Sequence, residues 1–263
     1  MRKIMYKTSE TIVYKVQEYA DKKAAVVIGN GDIIDFRPMR MQEPLYSGCD
    51  VYVFYFRKEN KGLKSSGEEL AKWLISMEEH YTKIFLVMKS KCGNMVITSV
   101  VNNLTNYRKY KIFVVNAPLA GTVAATPKEL RRQIYRDKKL WNLPVYFLED
   151  IILTKIVYGD YPIDHDIQVG AEYMKNYLKK KEVADKFDIT VIAGTLRKKK
   201  CKTILDFILR WFDKRFEFCG DGIVPLKSQM SFKEPARVIV TNHITVLDDS
   251  KKIIQKEIDK EKL

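Results

Sequence analysis

The chain has little histidine, little cysteine and no long apolar run. It carries three histidines and four cysteines in 263 residues. Cys49, Cys92, Cys201 and Cys219 show no C-x-x-C spacing and no compact framework, which argues against structural zinc and a disulfide scaffold and makes free thiols the expectation. A membrane-spanning helix needs roughly 18 or more apolar residues in a row, and no such run occurs. The N-terminus has Arg2 and Lys3 but no apolar stretch of the signal-peptide kind, so a cytoplasmic location is expected. The scarcity of histidine also narrows any chemistry that needs an imidazole, which must come from His80, His165 or His243.

Apolar residues and positive charge are abundant. Hydrophobic residues make up 46% of the chain, enough for a large core, and the length suits a single α/β domain over residues 1–263 with a moderate insertion. The formal net charge is +14, which favours anionic surfaces and negatively charged substrates. Its densest clusters, Lys179-Lys180-Lys181 and Arg197-Lys198-Lys199-Lys200, lie at the ends of predicted elements, and the rest is spread along the chain. Solvated lysine-rich surface accounts for that distribution. A weak association with anionic surfaces is therefore expected. A specific nucleic-acid partner is not, because no RNA-recognition, helix-turn-helix or zinc-finger pattern accompanies the charge.

Short apolar runs alternate with amphipathic segments. Ala24–Ile28 reads as a buried parallel strand running into a tight turn, Gly29-Asn30-Gly31-Asp32. Asp50–Phe56, rich in β-branched and aromatic residues, reads as a central strand. After a glycine-containing loop to Gly67, Leu70, Trp73, Leu74 and Met77 fall at helical spacing over 68–81, and Ile84–Val87 is the next strand. Val96, Ile97, Val100, Val101 and Leu104 mark the buried face of the following helix, and Lys111–Val115 is again a strand. Helices are predicted from Pro127 towards Trp141 and over Ile167–Leu178. Then come a strand over Phe187–Thr195 and a helix around Thr203–Phe212 that buries Ile204, Phe207, Ile208 and Trp211. A strand over Ala236–Thr241 and a helix over Asp249–Lys262 close the chain. This succession predicts an α/β fold with a mainly parallel central sheet flanked by helices.

The stretch Met88-Lys89-Ser90-Lys91-Cys92-Gly93-Asn94 sets a serine on a sharp turn between a strand and a helix. In that placement the hydroxyl stands proud of the sheet and faces a helix N-terminus. Far downstream are Gly220-Asp221-Gly222-Ile223-Val224-Pro225-Leu226 and Thr241-Asn242-His243-Ile244-Thr245. With these motifs, in the order Ser90, Asp221, His243, the chain resembles the lipase and esterase branch of the α/β-hydrolase superfamily. There an acidic residue in a G-D-G-x-V-P turn follows a late strand, and a histidine sits in a loop before the last helix. Lys89–Asn94 is also similar to an H-S-K-G-G-N elbow in some bacterial lipase-like proteins.

The resemblance implies a catalytic set of Ser90, Asp221 and His243, and oxyanion donors at Lys91 and Gly31, with Asn30 beside them. On the residues alone, Gly29–Asp32 reads equally well as a plain strand-ending turn. The usual elbow is G-x-S-x-G, and here Met88 and Cys92 occupy the glycine positions, so either the elbow relaxes or its neighbours shrink to fit. Cys92 is an alternative nucleophile, although in that register Gly93 and Asn94 leave the family's positions. The resemblance further implies a helical cap over residues 122–186. Within it Tyr146, Phe147, Ile151, Ile152 and Leu153 line the site or simply pack. Asp164-His165-Asp166 reads as the N-terminal cap of the helix that follows, not as a metal site. The expected activity is hydrolysis of small-molecule or lipid esters through an acyl-enzyme, without metal or organic cofactor. The alternative is an inactive protein of the same fold that serves as a binding module.

Overall fold

A computed structural model describes residues 3–19, 23–33, 44–122, 125, 162–168, 171–173, 181–197, 200–215, 219–232 and 237–261. Eight strands form one sheet: β1 (Lys3–Lys7), β2 (Thr11–Gln17), β3 (Ala24–Ile33), β4 (Asp50–Phe56), β5 (Lys83–Lys89), β6 (Tyr110–Val115), β7 (Asp188–Thr195) and β8 (Arg237–Val240). Their order is β1-β2-β4-β3-β5-β6-β7-β8. Pairing is antiparallel for β1 with β2 and β2 with β4, and parallel from β4 across to β8.

The central strands are apolar without alternation because both faces are covered. On one face Ala25, Val27, Leu86 and Ile112 meet Leu70 and Leu74 of α1 (Leu63–Met77) and the helix beginning at α2 (Lys91–Met95). That helix continues through a wider, π-wound turn, Val96–Val100, and a tight one, Val101–Asn103. On the other face Val26, Phe85 and Phe113 meet Val246, Ile254 and Ile258 of α7 (Val246–Glu261). Each such valine, leucine, isoleucine or phenylalanine, fully buried, stabilises the fold by about 1.5–3 kcal/mol. Short helices α3 (Pro162–His165), α4 (Lys181–Ala184) and α6 (Leu226–Gln229) and the longer α5 (Ile204–Arg215) complete the described elements. No helix of the described residues is long and apolar enough to cross a membrane.

Four local readings differ from the structure. β3 does not stop at Ile28 but runs on to Ile33, with its pairing to β4 interrupted between Gly29 and Ile33. Gly31, at φ 81°, supplies the backbone conformation of that interruption. α1 begins at Leu63, well before residue 68, because its boundary is Gly62 (φ 124°) and not Gly67. Gly67 lies inside the helix, where an added Cβ would come within 2.4 Å of Ser99 Cβ and 3.0 Å of Met95 Cγ. It lets α1 pack closely on the helix that carries α2. β1 and β2 were not anticipated, since the lysine-flanked Lys3–Lys7 is an edge strand with little apolar signal.

The fourth difference is in α5, where Ile204 and Phe207, expected to be buried in the core or under a lid, are 81% and 65% exposed. Among its residues with described side chains, those buried are Asp206 and Leu209, with Ile208 and Trp211 only partly covered. The helix expected from Pro127 to Trp141, together with Tyr146, Phe147, Ile151, Ile152 and Leu153, lies outside the described residues. So does most of Ile167–Leu178, although Glu172 and Tyr173 are helical.

Candidate active site

Ser90 stands between β5 and α2 with φ 52° and ψ −132°, a conformation that non-glycine residues rarely adopt. Such a residue costs on the order of 1–3 kcal/mol and persists only where its surroundings over-determine it. Here the Ser90 N–H donates to Val115 O (3.0 Å) at the end of β6, and Gly93 N–H donates to Ser90 O (2.9 Å). Asn94 Nδ2 fastens the same turn to Pro118 O (2.8 Å). Met88 and Cys92 are fully buried despite their bulk, and the reason is Gly29 on the neighbouring β3. A Cβ at Gly29 would lie 2.7 Å from Met88 Sδ and 2.9 Å from Cys92 Sγ. The missing glycine room at the elbow is thus recovered from the adjacent strand.

The three residues singled out from the sequence meet. His243 Nε2 lies 3.1 Å from Ser90 Oγ and His243 Nδ1 lies 2.7 Å from Asp221 Oδ2. Asp221 as a carboxylate only accepts hydrogen bonds. Nδ1 is therefore the protonated ring nitrogen, and Nε2 is left to accept from the serine hydroxyl. Asp221 is fully buried, and four donors satisfy it: Oδ1 accepts from Ile223 N (3.0 Å) and Val224 N (2.8 Å), and Oδ2 from His243 Nδ1 and from Asn116 Nδ2 (2.7 Å). The turn and the loop are also joined directly, His243 N–H donating to Asp221 O at 3.1 Å.

Lys91 and Gly31, the expected oxyanion donors, are neighbours of the elbow. A Cβ at Gly31 would be 3.2 Å from Ser90 Cβ and 3.6 Å from Lys91 N. Asn30 is buried, and its Oδ1 accepts from Lys89 Nζ (3.0 Å). The Lys91 side chain turns the other way, to a buried ion pair with Asp164 Oδ1 at 2.5 Å. Asp166 Oδ2 accepts from Leu63 N–H (2.6 Å), and burial pushes its carboxyl above the usual range. Among the described residues, the side chains of both aspartates therefore reach other elements. One neutralises Lys91, the other caps α1. Among the described residues no group of three or more His, Cys, Asp or Glu side chains is placed to hold a metal ion. None of the four cysteines forms a disulfide; Cys49 and Cys92 are buried, Cys201 and Cys219 exposed.

Several site residues went unread in the sequence. Asn116 carries no motif; its signal is a positive φ (46°) at the end of β6, which only coordinates reveal. Asp206 had a visible signal, the Thr203-x-x-Asp206 capping pattern, but its second contact, to Asn242 Nδ2 (2.8 Å), spans 36 residues. Asp213 accepts from Gly220 N–H (2.8 Å), beside the acid turn.

No protein-family model matches the sequence, and no curated protein matches it either. Solved structures do. The mature form of the Bacillus licheniformis lipase BlEst2 superposes with a TM-score of 0.63 at 15% identity, covering 96% of this chain and 99% of that one. Its propeptide form gives 0.58 at 15% identity, covering 92% of this chain and 51% of the longer one. At these identities the likeness speaks for architecture. With the sheet order, the tight turn at Ser90 between β5 and α2 and the long superposition on a lipase, the chain has the α/β-hydrolase fold.

Proposed function

We propose that this chain is a serine hydrolase of carboxylic esters, with Ser90 as nucleophile, His243 as general base and Asp221 as the carboxylate that orients it. The observation that carries this reading is the single imidazole bridging a strained elbow serine (3.1 Å) and a buried carboxylate (2.7 Å). Ser90 Oγ attacks the ester carbonyl carbon as its proton passes to His243 Nε2. The tetrahedral adduct collapses, its C–O bond breaks, and the leaving alkoxide takes the proton from His243. Water, deprotonated by the same nitrogen, then attacks the acyl-enzyme and releases the acid and Ser90. The developing oxyanion is met by the Lys91 N–H and by the Gly31 backbone beside it, each donor lowering the barrier by about 3 kcal/mol. These steps need no metal or organic cofactor.

Residues 122–186 form the cap in this reading, and their described parts reach the elbow through Asp164 on Lys91 and α1 through Asp166 on Leu63 N–H. The substrates are small-molecule or lipid esters, and the net charge of +14 adds a weak, salt-sensitive attraction to anionic surfaces. An inactive binding module was the competing reading because of Met88 and Cys92; the room that Gly29 provides weighs against it. The test is labelling by a fluorophosphonate probe with hydrolysis of short-chain p-nitrophenyl esters. Labelling of the wild type that vanishes in Ser90→Ala supports the enzyme. Folded wild type that neither labels nor hydrolyses overturns it.

A further inference from the structure

The α5 helix sends carboxylates as well as apolar side chains towards the rest of the fold. Two of its large apolar side chains, Ile204 and Phe207, point outward at 81% and 65% exposure. Asp206, Leu209 and Asp213, at i, i+3 and i+7, lie along one stripe of the helix. All three reach the two loops that hold the candidate acid and base. Asp206 is buried; Oδ2 accepts from Lys202 N (3.1 Å) and Thr203 Oγ1 (3.2 Å), closing the first turn, while Oδ1 accepts from Asn242 Nδ2 (2.8 Å). Asn242 Oδ1 in turn accepts from Ile244 N (2.9 Å) and Thr245 N (2.7 Å), so this amide sets the turn on which His243 sits. One and two turns further on, Leu209 fills the space beneath Gly222, where an added Cβ would come within 2.7 Å of Leu209 Cβ, and Asp213 Oδ1 takes the Gly220 N–H (2.8 Å). Gly220 and Gly222 flank Asp221. Arg210 Nη2 also donates to Leu196 O (3.3 Å), and Leu196 N–H donates to Gly220 O (2.6 Å), so helix, strand end and acid turn are fastened together.

We propose that α5 is a clamp for the acid and base half of the site, with Asp206 a positioning residue for His243 through Asn242 and Asp213 a positioning residue for Asp221 through Gly220. Neither carboxylate touches the reacting atoms. Each fixes a loop by accepting N–H groups, and this accounts for the carboxylates on the buried stripe of the helix. The role in turnover rests on the ester hydrolase reading; the role in holding the two loops does not.

The experiment compares Asp206→Leu and Asp213→Leu, which remove the acceptors, with Asp206→Asn and Asp213→Asn, which keep one. Two readouts are taken on the full chain: kcat and KM on a p-nitrophenyl ester, and amide hydrogen exchange over 219–224 and 241–247. Misplacement of about 1 Å costs up to ~100-fold in rate. Each leucine variant is therefore expected to lose roughly 10- to 100-fold in kcat with KM nearly unchanged, and to exchange faster only in the loop its carboxylate holds. The asparagine variants should recover most of both. Should Asp206→Leu fail to fold, Asn242→Ala breaks the same link from the loop side, and should Asp213→Leu fail, Asp213→Ala removes the acceptor of the Gly220 N–H without added bulk. Leucine variants with wild-type kcat, or asparagine variants as damaged as the leucine ones, overturn the proposal. If wild type neither labels nor turns over, the hydrolase reading fails and exchange alone decides: faster exchange confined to these loops and rescued by asparagine upholds the clamp, and unchanged exchange overturns it.

Discussion

At the scale of single residues, the site depends on where a few atoms of bulk are placed. Gly29 leaves space for Met88 and Cys92, so Gly29→Ala forces a Cβ to within 2.7 Å of Met88 Sδ and 2.9 Å of Cys92 Cβ. Overpacking of this kind costs about 1–3 kcal/mol. Denaturant unfolding should show a loss of that size, and Cys92→Gly in the same chain should return part of it; no recovery would mean that the elbow relaxes elsewhere. Asp213 offers a second test. Burial, with the nearby charge of Asp221 adding to it, pushes its pKa up from 3.8 to about 6 although the Gly220 and Gly222 N–H groups act the other way. The folded chain thus binds this proton more tightly than the unfolded one. Its contribution to stability rises as pH falls from about 6 towards 3.8 and is flat above 6. Asp213→Asn should raise the melting temperature above pH 6 and flatten the profile between those values; an unchanged profile would reject the shift.

At the scale of elements, the informative contact is that between α2 and α3. Lys91 begins α2, and its Nζ pairs with Asp164 Oδ1 at 2.5 Å, with side chains only 9% and 5% exposed. Removing one partner of a buried pair costs about 3–5 kcal/mol, whereas replacing both by apolar residues is often neutral. Lys91→Met should therefore destabilise strongly, and Lys91→Met with Asp164→Leu should regain most of the loss, read by thermal unfolding. If the double variant is as unstable as the single one, the pair is not what seats this segment. Legibility at this scale followed the length and purity of the apolar signal. β4, β5, β6 and β7 were readable because each is a nearly unbroken apolar run in a sheet covered on both sides. The start of α1 is not legible because its first N–H, that of Leu63, is capped by Asp166, 103 residues away, and no local side chain caps it.

At the scale of the whole molecule, the chain carries a net charge of +14, and Lys89 and Lys91 flank the proposed nucleophile Ser90 in the sequence. Long-range attraction of this kind acts on encounter and is screened by salt. For an anionic ester, kcat/KM should fall as salt is raised, while for a neutral ester of the same chain length it should stay nearly constant. Equal salt dependence of the two would place the charge out of play.

The sequence by itself determined the α/β class, the succession of the central strands and the order serine, aspartate, histidine, because those rest on apolar periodicity and short motifs that are local in the chain. Only the tertiary structure decided that Gly29 makes room for Met88 and Cys92, that Asn116 steadies Asp221, and that α5 turns Asp206 and Asp213 inward. Each of these is a contact between residues on different elements. A short stretch of sequence records what a residue is and how its neighbours repeat, but not which distant N–H group or side chain the folded sheet brings against it.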